Sequence, residues 1–193
     1  MILVIDTSSA LSALAVVDES GALVEEAFLP ARSPELVDRM RALASRHAMS
    51  KVAVATGPGS FTGLRVGVSF GLGLAMGLRI PIVPLPTLAV QAARSGTPVI
   101  ALSEAGRGRV YYLLPGGYSA LGEPEEIPKT NELVGFVSPA TEAALKEAGH
   151  VFKPETDLRS FAAAAVTILT SAREVAYGSL RLEYMQSFSA PRA

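Results

Sequence analysis

Apolar residues run unbroken from Ile2 to Ile5 and stop at Asp6, as in a strand buried on both faces. After the polar turn Thr7-Ser8-Ser9, "LSALAVVD" and "ALVEEAFL" read as two more strands, joined at Asp18-Glu19-Ser20-Gly21. Ser33-Pro34-Glu35 predicts a helix start, with Ser33 as cap and proline in the first turn. Leu36, Val37, Met40, Leu43 and Ala44 then recur at helical spacing. Val52 to Thr56 is a short buried strand. A glycine-rich loop follows, then a helix from about Thr62 to Leu78, the strand "IPIVPL" and a short helix from Thr87 to Arg94. The order is three strands in a meander, then helices alternating with strands.

The second half restarts the pattern. "PVIALS" and "RVYYLL" read as a hairpin, Gly116-Gly117 as a turn, and "LVGFVS" as a strand. Ser138-Pro139 opens a helix to about Ala148, and Asp157 caps a longer one running through Ala162, Val166, Leu169 and Val175 to Gly178. These readings predict an α/β protein of two lobes, 1–97 and 98–193, the second a shortened copy of the first.

Composition narrows the chemistry. The chain has no cysteine, so thiol catalysis, disulfides and cysteine metal sites are excluded. Its net charge of −1 sets up no global basic field for nucleic acid. The mean hydropathy is high at +0.35, but the uncharged runs are short, and no membrane role is expected. The N-terminus has no basic region or cleavage site of the secretory type, so the expected compartment is the cytoplasm. His47 and His150 fall in no H-x-x-x-H or H-E-x-x-H pattern, and no metal site is expected. Arg107 and Arg109, beside Tyr111 and Tyr112, read as the solvated edge of a hairpin rather than a nucleic-acid contact.

The stretch from Thr56 to Gly77 allows two readings. Gly57, Gly59 and Ser60 precede a helix N-terminus, which could hold a phosphate together with Asp6, Thr7 and Ser8 at the end of the first strand. No Walker lysine follows, and the glycine spacing is not that of a dinucleotide fold. Within the helix, Gly63, Gly67, Gly71 and Ala75 stand four apart and form a groove. Val66, Phe70, Gly73 and Gly77 form a second, mixed face. Each interior glycine costs about 1 kcal/mol of helix stability relative to alanine, which close approach of another backbone can offset. That backbone is either the chain's own or a partner's, and the apolar surroundings favour a partner.

"GPGSFTGLR", with "ILVIDTSS", "RVGVSFGLGLAMGL" and "IPIVPLPTLAV", closely resembles the TsaB (YeaZ) family over roughly the first hundred residues. The resemblance implies two ribonuclease-H-like lobes of the actin-like ATPase and sugar-kinase type. It implies a non-catalytic scaffold subunit of the machinery that makes threonylcarbamoyladenosine in bacterial tRNA, a degenerate relative of the catalytic TsaD. The implied partners are a TsaD-like subunit, a TsaE-like ATPase and a second copy of the chain, with tRNA touched only indirectly. No cofactor is implied, unless nucleotide sits at a subunit junction. Leu36, Met40, Leu43, Gly63, Leu64, Gly67, Val68, Gly71 and Ala75 become the expected interface, and Asp6, Thr7, Ser8, Gly57, Gly59 and Ser60 a vestigial phosphate site. The second half departs from the family: Glu104-Ala105-Gly106-Arg107 replaces an Asp-Ala-Arg-like turn, and the ending near Tyr184 lacks the family's pattern. The alternative is an active ATPase or phosphotransferase of the same superfamily. A metalloprotease, the family's older label, lacks its ligands here.

Overall fold

The computed structural model describes residues 1–183; the ending at Tyr184 lies outside the described residues. The first sheet holds β1 (Ile2–Asp6), β2 (Leu11–Val17), β3 (Leu23–Pro30), β4 (Lys51–Gly57) and β5 (Ile82–Pro86), in the order β3-β2-β1-β4-β5. The first three strands form the antiparallel meander, and β4 and β5 add in parallel beside β1. This is the ribonuclease-H-like order that the resemblance implies. The second sheet, β6 (Ile100–Gly106), β7 (Arg109–Leu113), β8 (Ser119–Gly122) and β9 (Leu133–Val134), runs β8-β7-β6-β9. It repeats the first four positions of that order and stops.

Alternation along each strand sorts side chains to two faces. Leu3, Ile5, Val52 and Val54 face one layer, where they meet Leu36, Met40 and Leu43 of α1 (Leu36–Arg46) and Ala75 of α2 (Phe61–Leu78). Val4, Ala53, Val83 and Leu85 face the other, against α3 (Thr87–Ala93) and α5 (Phe161–Leu169). The strands divide near residue 98, yet α5, from the second half, covers a face of the first sheet. A smaller core joins Ile100, Leu102 and Leu133 to Leu145 of α4 (Pro139–Glu147).

Several local expectations shift. The cap of α1 falls at Glu35 and makes no side-chain bond; Ser33 instead accepts from Glu35 N. The final helix starts after Ser160, whose hydroxyl accepts from Ala163 N, and ends at Leu169. Asp157 sits in a separate single turn, and Val175 bridges to Ile82 at the free edge of β5. The strand expected over residues 133–138 is only Leu133–Val134, because Ser138 turns away to cap α4. Arg32, Arg79 and Arg107 hold φ of 62°, 57° and 57°. For a residue with a Cβ this left-handed conformation costs roughly 1–2 kcal/mol.

The glycine row of α2 lies against the chain's own sheet. A Cβ on Gly63 would stand 1.9 Å from the Thr7 carbonyl oxygen, one on Gly67 2.4 Å from Thr7 Oγ1, and one on Gly71 2.3 Å from Val54 Cγ1. The helix therefore rides on β1 and β4 at a separation that side chains would forbid. Thr7 Oγ1 donates to Gly63 O at 2.6 Å across the same contact. Leu36, Met40, Leu43, Leu64, Gly67, Gly71 and Ala75 are buried, and half-buried Val68 packs on the same core. The expected interface residues thus belong to the core: the strands beneath fill the groove of α2, and Leu36, Met40 and Leu43 of α1 are buried in the same cluster. Gly73 and Gly77 differ: a Cβ on either meets nothing within 4 Å.

Alanine substitutions separate the two kinds of glycine. Gly63→Ala and Gly67→Ala are expected to lower the melting temperature, by the roughly 1–3 kcal/mol of an overpacked core. Gly73→Ala and Gly77→Ala are expected to raise it, by about 1 kcal/mol each, or roughly 2–4 °C in a chain of this size. Thermal melts of the four variants check the assignment.

Candidate functional site

The end of β1, the loop before α2 and the start of the second sheet meet at a cleft of about 610 Å³. Ser9, Arg32, Ser60, Thr62, Glu104 and Ser138 supply its polar lining. The sequence-predicted phosphate residues gather beside it, but their polar atoms are engaged with one another. Asp6 is 3% exposed, and its Oδ1 accepts from Ser8 N at 2.9 Å and Ser8 Oγ at 2.5 Å. Ser8 O in turn accepts from Ser60 N at 2.6 Å, the amide that would otherwise face a phosphate. Gly59 is packed so closely that a Cβ would lie 2.5 Å from Ser8 O. Gly57, at φ 112°, passes under the backbone of Glu183. The loop is therefore stitched onto the β1 turn.

The second sheet's side of the cleft was not legible beforehand. Glu104 presents its carboxylate to the first turn of α4, accepting from Ser138 Oγ at 2.6 Å, Ser138 N at 3.3 Å and Thr141 Oγ1 at 2.5 Å. A carboxylate is the favoured partner of a helix N-terminus. The floor joins the halves: Ser9 Oγ and Ser103 Oγ lie 3.0 Å apart, and Glu104 N donates to Ser9 Oγ at 3.4 Å. The one available signal was Ser138-Pro139 as a helix start; its partner is 34 residues away and breaks the family's turn pattern.

Elsewhere the histidines are apart. His47 Nε2 is 3.6 Å from Glu25, and His150 Nε2 is 2.8 Å from Pro124 O. No group of three metal-ligating side chains converges among the described residues. Tyr112 belongs to the small core, while Arg107 stands exposed at the β6–β7 tip.

The outer side of α2 is an exposed apolar face. The helix is long and apolar enough to cross a membrane by length and composition, and 22% of it is buried. Its inner row sits on the sheet. Outward, Val66, Met76 and Leu78 are 36%, 53% and 49% exposed. A groove of about 480 Å³ runs between α1 and α2, lined by Arg41, Ala44, Phe70, Gly73, Leu74 and Leu78.

These features define a two-sheet α/β protein with a closed-floored cleft and an uncovered helix face. The likeness to solved structures agrees. An uncharacterized protein with similarity to peptidase YeaZ, from Pseudomonas aeruginosa, superposes with a TM-score of 0.72 at 19% identity, over 96% of this chain and 99% of that one. YeaZ from the same organism gives 0.68 at 18%, over 95% and 99%. At that identity the likeness speaks for the fold. The family model of TsaD, tRNA N6-adenosine threonylcarbamoyltransferase, matches residues 35–183. Curated relatives match over a shorter stretch. The tRNA threonylcarbamoyladenosine biosynthesis protein TsaB of Escherichia coli is 36% identical over 69 residues, 33% of this chain and 30% of that protein. Its Bacillus subtilis counterpart is 42% identical over 66 residues, 33% and 29% respectively. The match thus spans less than a third of either relative's length. The chain belongs to the TsaD family, and the curated relatives it matches are TsaB proteins.

Asp6 gives the site a pH signature. Burial pushes its carboxyl above the ordinary 3.8, against the pull of the Ser8 bonds. A raised folded value means that the proton is held more tightly in the folded state. The resulting stability is fully present below 3.8 and is lost as pH rises through the folded value. Asp6→Asn keeps an acceptor for Ser8 and carries no charge. Melting curves of variant and wild type are expected to converge in acid and to separate towards neutral pH, with the variant higher. A variant that melts lower at neutral pH would contradict this reading of Asp6.

Proposed function

We propose that the chain is a non-catalytic scaffold subunit in tRNA threonylcarbamoyladenosine biosynthesis, and that it docks a TsaD-type catalytic subunit on the outward face of α2. The observation that carries this is the helix itself. An 18-residue apolar helix with 22% burial exposes Val66, Met76 and Leu78 around two glycines beside which no described residue packs. Each of those glycines weakens the helix, and a partner helix packed close over Gly73 and Gly77 would offset that loss. The docking residues are therefore the opposite face of the same helix from the one the sequence suggested. A second copy of the chain could take this face in the absence of the partner, and a TsaE-type ATPase would join at another surface.

Support for the non-catalytic part comes from the cleft. Ser60 N is engaged by Ser8 O, and Ser138 N by Glu104. The groups with which an ATPase would grip phosphate are satisfied within the chain. The cytoplasm is the compartment that suits a tRNA-modifying assembly.

Filling the outward groove tests the docking. Gly73→Leu and Gly77→Leu are expected to stay folded, with unchanged or higher melting temperature. They should lose at least about tenfold in affinity for the catalytic subunit, the equivalent of roughly 1–3 kcal/mol of overpacking at a close contact. Size-exclusion chromatography with a thermal melt on each sample reads both. Leucine variants that co-elute as wild type does would overturn the docking face. ATP hydrolysis by the isolated chain, abolished by Asp6→Ala, would overturn the non-catalytic reading.

A further inference from the structure

The helix that carries the proposed docking face ends in a way that costs it stability. Arg79 closes α2 with left-handed backbone, at φ 57°, where a helix end usually has glycine. Its amide turns back to Ala75 O and Met76 O, and Ile80 N reaches Ala75 O at 3.0 Å. These bonds close a turn from Ala75 to Ile80. Inside it lie Met76, Gly77 and Leu78, which are two of the exposed apolar residues of the docking face and one of its glycines. Gly73 and Gly77 weaken the last turns of the helix, and a residue with a Cβ strains the left-handed cap. The end of α2 therefore depends on support from outside the helix.

That support comes from the second half of the chain. Beyond α5 the backbone returns to the free edge of β5, where Val175 N donates to Ile82 O at 3.1 Å. Two residues on, half-buried Tyr177 lays its ring against the core beneath α1 and α2. Its hydroxyl stands 3.1 Å from Ala75 O and 2.9 Å from Ile80 O, 102 and 97 residues away in sequence. Those are the first and last residues of the closing turn. One hydroxyl proton is shared between the two ends of the turn, and the packed ring fixes where it sits.

We infer that Tyr177 is a positioning residue for partner docking: its hydroxyl holds the turn that presents Met76 and Leu78 to the catalytic subunit. The inference rests on the docking face proposed above and goes beyond it, because a residue of the second half governs that face. Tyr177 acts through Ala75 and Ile80 and not by touching the partner. A turn that frays lowers the population of chains ready to dock, and the apparent affinity falls with that population.

Tyr177→Phe keeps the ring in the core and removes the hydroxyl. It is expected to bind the TsaD-type subunit roughly three- to tenfold more weakly, the span of one hydrogen bond's net worth. Its melting temperature should fall by no more than about 6 °C. Amide exchange at Arg79 and Ile80, followed by NMR in the free chain, should quicken. Arg79→Gly relaxes the same turn, since glycine takes left-handed backbone freely. Added to Tyr177→Phe, it should recover most of the lost affinity relative to Arg79→Gly alone. Arg107 has the same φ of 57°, and its neighbours Ala105 and Gly106 line the cleft with Phe61, at the other end of α2. Arg107→Gly relieves a like strain there and should recover none. Equal affinity of Tyr177→Phe and wild type overturns the inference. So does unchanged exchange at Arg79 and Ile80, or rescue by Arg107→Gly as complete as by Arg79→Gly. Gly73→Leu keeps the two readings apart. If it co-elutes as wild type does, the docking face fails and this inference with it. If it loses the partner while Tyr177→Phe does not, the role of Tyr177 alone fails.

Discussion

The contact between the glycine row of α2 and the ends of β1 and β4 sets everything else in place. Gly63 lies on the Thr7 carbonyl, Gly67 on Thr7 and Ile5, and Gly71 on Val52 and Val54. A side chain at any of the three would lift the helix from the sheet. That close seat fixes the N-terminus of α2 beside Ser8 and folds the preceding loop onto the β1 turn. It also leaves Val66, Met76 and Leu78 of α2 facing outward, exposed among the described residues. One packing constraint thus makes the cleft and the uncovered face together.

Much of the architecture could be read from the sequence, because strands and helices announce themselves by period. The meander, the alternation after it and the restart near Pro98 all follow from apolar spacing that burial then enforces. The glycine helix was legible as a helix with an unusual need for close approach. Its direction was not. A row of glycines spaced four apart specifies that a backbone comes near, and Thr7 and a partner helix satisfy that equally from the sequence's point of view. Gly73 and Gly77 were visible only as part of a mixed face, and only the empty space beside them sets them apart from Gly67 and Gly71.

The second half was harder for a different reason. Its topology repeats the first, but its site depends on pairs far apart in the chain, such as Glu104 with Ser138 and Thr141. The fragment Ser103-Glu104-Ala105-Gly106 reads as a missing aspartate. In three dimensions the glutamate is a carboxylate that satisfies a helix N-terminus from inside.

The claim at the centre is that α2 has an inner face for folding and an outer face for a catalytic partner. Oxidative footprinting of two methionines reads both faces at once. Met76 is 53% exposed on the outer face, and Met40 of α1 is fully buried in the core that Ala75 of the inner row joins. In the dilute free chain, Met76 should oxidise readily and Met40 should not. On saturation with the TsaD-type subunit, Met76 should become protected while Met40 stays unreactive. Met76 oxidising equally fast with and without the bound partner would contradict the account.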